Sequence, residues 1–292
     1  MLKRTANIDH DLHIHTYLST CCKDKSLQVP SRILALAEEM GIYTIGFSDH
    51  LWQNPDITPS DWYRPQDEQR IVQLRHELSL APSNLRVLVG CEADTISPGQ
   101  FSITRDFAQS LDFTLLSCNH FHLKDLVQQP PSHNPKEIAA HMMSFFLSGV
   151  RSGIATVIAH PFVPYGYINQ FDAIMSELSD TELFDAFCEA RELGVGIEIT
   201  AAYLPSRLLS RVIEENPSLE NSVPSTETPI RLLSLAKQAG CKFSFGSDAH
   251  GPADQKELPQ IIDLVKSVDV SRDDLVPLVL MGAEGNSGQS GS

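Results

Sequence analysis

The sequence predicts an α/β fold: one domain in which seven strand-and-helix units form a closed or nearly closed barrel. Three observations lead there. Apolar, strand-like runs recur with helical segments between them, and strict alternation of that kind implies a parallel sheet with crossover helices. No internal repeat or inter-domain linker interrupts the pattern. Most of the histidines and several acidic residues sit where strands should end, which in a barrel is one shared rim.

The first strand is drawn over 8–15, where Ile8, Leu12 and Ile14 alternate with Asp9, Asp11, His13 and His15. Six more strands follow at 43–48, 86–92, 112–118, 155–160, 195–200 and 241–247. Ser31 is read as the cap of a helix that Gly41 closes, and 69–80 carries a helical pattern. Asn134-Pro135 and Thr228-Pro229 each place a capping residue before a first-turn proline. Gly149, Gly194 and Gly240 stand where a left-handed C-terminal residue belongs. The long stretches 51–65, 119–134, 161–171 and 201–225 follow strands, so they form the C-terminal rim, where barrel active sites are built. Their aromatics, Trp52, Trp62, Tyr63, Phe121, Tyr165, Tyr167 and Tyr203, either pack the loops together or line a pocket. The barrel domain is drawn over 1–282, with a flexible, linker-like tail over 283–292.

With 292 residues, 42% of them hydrophobic, the chain is able to bury a large core. Twenty-two basic against 37 acidic residues give a net charge of −15 without basic runs, which argues against long nucleic acid as a partner. Met1-Leu2-Lys3-Arg4-Thr5 has no apolar region behind its charges, so no signal peptide is expected. No apolar run reaches the length of a membrane span. Six cysteines without a Cys-x-x-Cys pair suggest a reduced, cytoplasmic protein.

Residues two apart on a strand share a face, so His13 and His15 project together, with Asp11 below them. The second strand ends in Ser48-Asp49-His50 and the third in Cys91-Glu92-Ala93-Asp94. The fourth runs into Asn119-His120-Phe121-His122, the fifth ends in Ala159-His160, and the seventh in Ser247-Asp248-Ala249-His250. Imidazoles and carboxylates converging on one rim are costly to bury without a cation. Eight or nine such ligands exceed the roughly four that one zinc ion takes, so two or three divalent ions are expected. The donor set suits zinc, manganese or iron. Clustered divalent ions are the equipment for hydrolysing phosphate esters.

These motifs together, Asp-x-His-x-His over 11–15, Asp49-His50, Glu92, His120, His160 and Ser247-Asp248-Ala249-His250, resemble the polymerase and histidinol phosphatase (PHP) family across about residues 8–251. Ser117-Cys118-Asn119-His120-Phe121 and Ile197-Glu198-Ile199-Thr200 look most like its histidinol-phosphatase branch. The resemblance implies a distorted (βα)7 TIM-like barrel with a trinuclear metal centre and phosphoesterase activity. It implies that His13, His15, Glu92 and Asp248 hold one metal, and that Glu92, His120 and His160 hold a second. His50 and His250 would hold the third. Many relatives carry a further His where this chain has Cys21. Either the Cys21 thiolate completes the third site and biases it toward zinc, or Cys21 is packing and the site is weak; Cys22 is the alternative ligand.

The expected chemistry is in-line attack on phosphorus by a metal-bridging hydroxide, with Asp248 accepting a proton and His122 the candidate donor to the leaving group. Asp11 and Asp49 would orient the histidines from behind. Arg64 and Arg207, on rim loops, are the candidates for pairing with substrate phosphate oxygens. The partner expected is a small phosphorylated substrate, with histidinol phosphate the nearest family example. Competing readings are a nucleotide or oligonucleotide phosphodiesterase, a metal-dependent amide hydrolase and a non-catalytic metal-binding module. His10, His76, His133 and His141 are expected to be structural or solvated. Glu198 is a rim carboxylate for which the resemblance supplies no role.

Overall fold

The computed structural model describes residues 5–219 and 224–280; the tail after Leu280 lies outside them. In order, the elements are β1 (His10–Ile14), α1 (Pro30–Glu39), β2 (Thr44–Phe47), α2 (Gln69–Leu80), β3 (Arg86–Val89), β4 (Cys91–Ser97), β5 (Gln100–Phe101), α3 (Arg105–Ala108), β6 (Thr114–Ser117) and α4 (Pro135–Arg151). There follow β7 (Val157–Ala159), α5 (Phe171–Ser176), α6 (Asp180–Glu192), β8 (Gly196–Thr200), α7 (Pro205–Glu215), α8 (Glu227–Ala239), β9 (Phe243–Gly246), α9 (Pro252–Gln255), α10 (Ile262–Ser267) and α11 (Pro277–Leu280). Every residue of β1, β2, β6, β7, β8 and β9 is buried, as expected for parallel strands covered on both faces. No described helix is long and apolar enough to cross a membrane.

Each of the seven expected strands has a counterpart, but the barrel closed by regular ladders is not found. The strands form two sheets, β1-β2-β3 and β5-β4-β6-β7-β8-β9, parallel throughout except where β4 pairs with β5. The expected strand at 86–92 is interrupted at Gly90, a position where a Cβ would overlap the Phe113 carbonyl. Its second half, β4, continues to Ser97 and folds back on β5, a hairpin the alternating pattern does not signal. Between the sheets, pairing thins to single bridges, His50 with Glu92 and Ile14 with Ala249.

At the second seam, side chains of β1 replace part of the missing ladder. Phe245 N donates to His10 Nε2 (2.9 Å) and Ser247 N to Asp11 Oδ1 (2.9 Å), while Ser247 Oγ donates to the His13 carbonyl (3.1 Å). His10 is therefore structural, as expected, and its ring stacks on Phe245.

Helix ends follow the expectations in part. Asn134 caps α4 by accepting from Lys136 N, and Gly240 ends α8 at φ +84°. Ser31 is not a cap: Pro30 already occupies the first turn of α1, behind Val29. Thr228 lies inside α8, where its hydroxyl donates to Asp172 instead. Gly149 does not end α4, which runs on to Arg151; it is buried against Cys118, with no room for a Cβ. Gly153 takes the left-handed position, at φ +68°.

Candidate metal centre

Glu92, 1% exposed, is the hub of the site. Its Oε2 lies 3.3 Å from His13 Nε2, 3.4 Å from His15 Nε2 and 3.3 Å from His50 Nδ1. Its Oε1 lies 2.9 Å from His160 Nε2 and 3.6 Å from His120 Nε2. Asp248 Oδ1 stands 3.5 Å from both His13 Nε2 and His15 Nε2. Strand ends on both sheets thus deliver side chains to one point, as the sequence reading required.

Most of the imidazoles are tethered at Nδ1 from behind. His13 Nδ1 pairs with Glu198 Oε1 (2.8 Å), His120 Nδ1 with Asp94 Oδ1 (2.7 Å) and His160 Nδ1 with Asn119 Oδ1 (3.1 Å). His250 Nδ1 faces the Asp248 carbonyl (2.9 Å), and His15 Nδ1 faces Ser19 Oγ (3.4 Å). Holding Nδ1 as the donor leaves the Nε2 lone pair pointing inward, the usual arrangement behind a metal ligand. Asp49 acts at one remove: it accepts from Ser19 Oγ (2.8 Å), from Thr16 N (2.6 Å) and from Thr16 Oγ1 (2.7 Å). Asp11 touches no imidazole; its Oδ1 holds the backbone of His13 and Ser247, so it shapes the strand end rather than a ring.

Two observations test whether a metal fits. His13 Nε2 and His15 Nε2 are buried without a hydrogen-bond partner, although carboxylate oxygens stand 3.3–3.5 Å away. Two donors bound to one tetrahedral zinc at about 2.0–2.1 Å stand about 3.3 Å apart, so this spacing is that of ligands sharing an ion. Secondly, Asp11, Asp49, Glu92, Asp94, Glu198 and Asp248 are all buried, and no Lys or Arg among the described residues is buried with them. Divalent cations would balance that buried charge. Three groups bring their donor atoms within 4.8 Å of one another: His13, His15 and Asp248; His13, Glu92 and His160; and His15, Cys21, His50 and His250. Cys21 is therefore beside three imidazoles, whereas Cys22 is in none of the groups and is buried.

Without metal, protons serve as the counter-ions. Burial alone would push His13 and His15 down, but the carboxylates of Glu198, Glu92 and Asp248 reverse that; His13 is held well above the usual range and His15 is pushed up to about 10. Burial also opposes ionisation of Glu92 and Asp248, yet the surrounding imidazoles hold both well below the carboxylate range. Desolvation wins at His50, which falls to about 4.

The backbone is bent to serve the site. His160 (φ +30°) and Asp248 (φ +51°) have positive φ without being glycine, a conformation that costs roughly 1–3 kcal/mol and clusters at functional sites. Gly246 is required for a different reason: a Cβ there would overlap the Glu198 carboxylate and meet His13 Cβ at 2.7 Å.

A cleft of about 610 Å³ opens onto Glu92, His120, Asp248 and His250. Its walls include His122, Trp62, Tyr165, Lys23 and Arg211. The rim aromatics divide between the two expected roles: Trp62 and Tyr165 line the cleft, while Trp52 and Tyr63 pack with Ile96 in a small apolar cluster. Arg64 is not brought to the cleft; it is exposed and pairs with Asp61 at 2.8 Å. Arg207 is brought there, but its guanidinium is already engaged by Asp254, Glu257 and two backbone carbonyls.

Sequence reasoning assigned no role to Asp94, Asn119 or Arg211, and none to Glu198. A signal existed for two of them. Asp94 is two residues beyond Glu92 on one strand and so shares its face, and Glu198 is a lone acid in an otherwise apolar strand. Asp94 also accepts from the buried Tyr63 hydroxyl.

No protein-family model matches the chain, and no curated protein matches it. Among solved structures that match is the A. niger ochratoxinase, at 10% identity and TM-score 0.49, covering 92% of this chain and 70% of that one. A likeness that slight has no bearing on function.

Proposed function

We propose that the protein is a metal-dependent phosphoesterase of PHP type whose substrates are small phosphomonoesters. The observation that carries this reading is the position of Glu92: its Oε2 faces His13, His15 and His50 while its Oε1 faces His160 and His120, so ions held on its two oxygens would be close neighbours. Glu92, Asp248 and the six imidazoles of His13, His15, His50, His120, His160 and His250 would hold them, with Cys21 as the one sulfur donor. Zinc suits that mixed set. Adjacent divalent ions lower the pKa of bound water and neutralise phosphoryl oxygens.

The chain's own groups do the rest. Asp248 faces the cleft, and its imidazole neighbours keep it ionised although burial opposes that; it would be the proton acceptor of the site. Tyr165 OH stands 3.5 Å from Asp248 Oδ2, and burial with that carboxylate nearby keeps its phenol protonated. His122 lines the cleft, where burial and the neighbouring His120 push it down to about 3, so its ring is neutral at neutral pH. Arg211 and Lys23 supply positive charge on the walls for an anionic substrate. With those two cations and a net charge of −15, the cleft suits a small anion better than a polynucleotide.

The test is a turnover panel on metal-loaded protein containing phosphomonoesters, nucleotides, a short oligonucleotide and amides. Phosphate release from monoesters, abolished by chelation, is expected. Hydrolysis of the amides alone, or inertness of the loaded protein toward every phosphoester, would overturn the reading.

A further inference from the structure

Arg207 stands on the first turns of α7, at the edge of the cleft, where a substrate-binding arginine would be expected. Its bonding is spent elsewhere. Nη1 pairs with Asp254 Oδ1 at 2.7 Å and Nε lies 3.2 Å from Glu257 Oε2. Nη2 donates to the carbonyls of Ser247 (3.0 Å) and Asp248 (3.1 Å). The second oxygen of Asp254 accepts from His250 N at 3.0 Å. One guanidinium and one carboxylate therefore grip the backbone of Ser247, Asp248 and His250, the loop carrying two candidate ligands.

That loop needs a grip. Asp248 has a φ of +51°, a conformation that persists only when the surroundings over-determine it. The carbonyls held by Arg207 belong to Asp248 itself and to the residue before it, so they fix the peptides on both sides of the strained Cα. Guanidinium geometry suits this: a planar fork meets two adjacent carbonyls and two carboxylates in fixed directions, four contacts where an ammonium has three donors.

We infer that Arg207 is a positioning residue: with Asp254 it forms a clamp that holds the Asp248–His250 loop in its strained, ligand-presenting conformation, and it does not bind substrate. The inference rests on the metal-centre part of the proposed function and is independent of the bond cleaved.

The experiment measures Co(II) affinity and the Co(II) absorption spectrum for the wild type, Arg207→Lys, Arg207→Met and Asp254→Asn, with far-UV circular dichroism as the check on folding. Inhibition by inorganic phosphate is measured alongside. In folded variants, Co(II) affinity is expected to fall about 10- to 100-fold, the usual cost of losing a group that orients ligands, with a changed d–d spectrum. Arg207→Lys should not rescue it, and Arg207→Met combined with Asp254→Asn should be little worse than either alone. If the Arg207 variants do not fold, Asp254→Asn carries the same expectation alone. Unchanged affinity and spectrum, with or without weakened phosphate inhibition, would overturn the clamp. A wild type that binds no Co(II) would instead overturn the metal centre, and the clamp with it.

Discussion

Glu198→Gln is the smallest change that should disable a ligand without touching one. The Glu198 carboxylate is fully buried; Oε1 accepts from His13 Nδ1 at 2.8 Å and Oε2 from His160 N at 2.5 Å. A carboxamide offers one acceptor and one donor where the carboxylate offers two acceptors. The backbone N–H of His160 has no other role available, so the amide oxygen must face it and the NH2 must face His13 Nδ1. That nitrogen is able to meet an NH2 only as an acceptor, which moves the ring proton to Nε2. The proton then occupies the atom that points at Glu92 and Asp248.

The expected loss is about 10- to 100-fold in metal affinity, or about 1.4–2.8 kcal/mol at about 1.4 kcal/mol per decade. Global stability should change less, because His13 Nδ1 and His160 N both keep a partner. Glu198→Ala differs: it leaves two buried donors unpaired, at about 1–3 kcal/mol each. Competition against a chromophoric chelator at neutral pH reads the affinity, nitrogen NMR of the His13 ring reads the tautomer, and circular dichroism reads the fold. A folded Glu198→Gln variant with wild-type affinity and Nδ1 still protonated would refute the reasoning.

Three further outcomes are expected. In chelated protein, His15 is pushed up to about 10 from an ordinary 6.5, and His13 rises with it, so the native state holds protons that the unfolded state releases. Their stabilisation is complete below pH 6.5 and is lost as pH rises toward about 10, so urea midpoints of metal-free protein should fall across that window relative to metal-loaded protein; a flat difference would contradict this. Cys21→Ser should weaken one ion selectively and abolish thiolate-to-cobalt charge transfer in the near ultraviolet; an unaltered spectrum would show that Cys21 is not a ligand. Gly246→Ala should cost about 1–3 kcal/mol, read as a lowered thermal midpoint, because its methyl displaces the Glu198 carboxylate; wild-type stability would count against that contact.

The sequence made the strand ends legible because a buried parallel strand is an apolar run, and a polar side chain at its end has few reasons to be there. That logic recovered His13, His15, His50, Glu92, His120, His160, Asp248 and His250 at one point in space. It did not recover the groups behind them. Asp94 and Glu198 lie within strands, and their partners, His120 and His13, come from other strands, so only assembly shows why burial is tolerated. The seam between β1 and β9 was illegible for a related reason, since side chains of His10 and Asp11 take over hydrogen bonds that a pattern of strands assigns to backbone. Arg207 marks a third limit. A cation near a cleft reads as a substrate contact, and only the carbonyls of Ser247 and Asp248 reveal that its donors are already used.

The central claim is that buried carboxylates and imidazoles around Glu92 hold several divalent ions. Elemental analysis of protein purified without chelator, then reloaded with zinc and freed of excess, tests it most directly. About two to three ions per folded chain are expected, given roughly four donors per ion, with a clear fall in Glu92→Gln. A folded wild-type chain that retains less than about one ion, or a Glu92→Gln variant that retains the full complement, would contradict it.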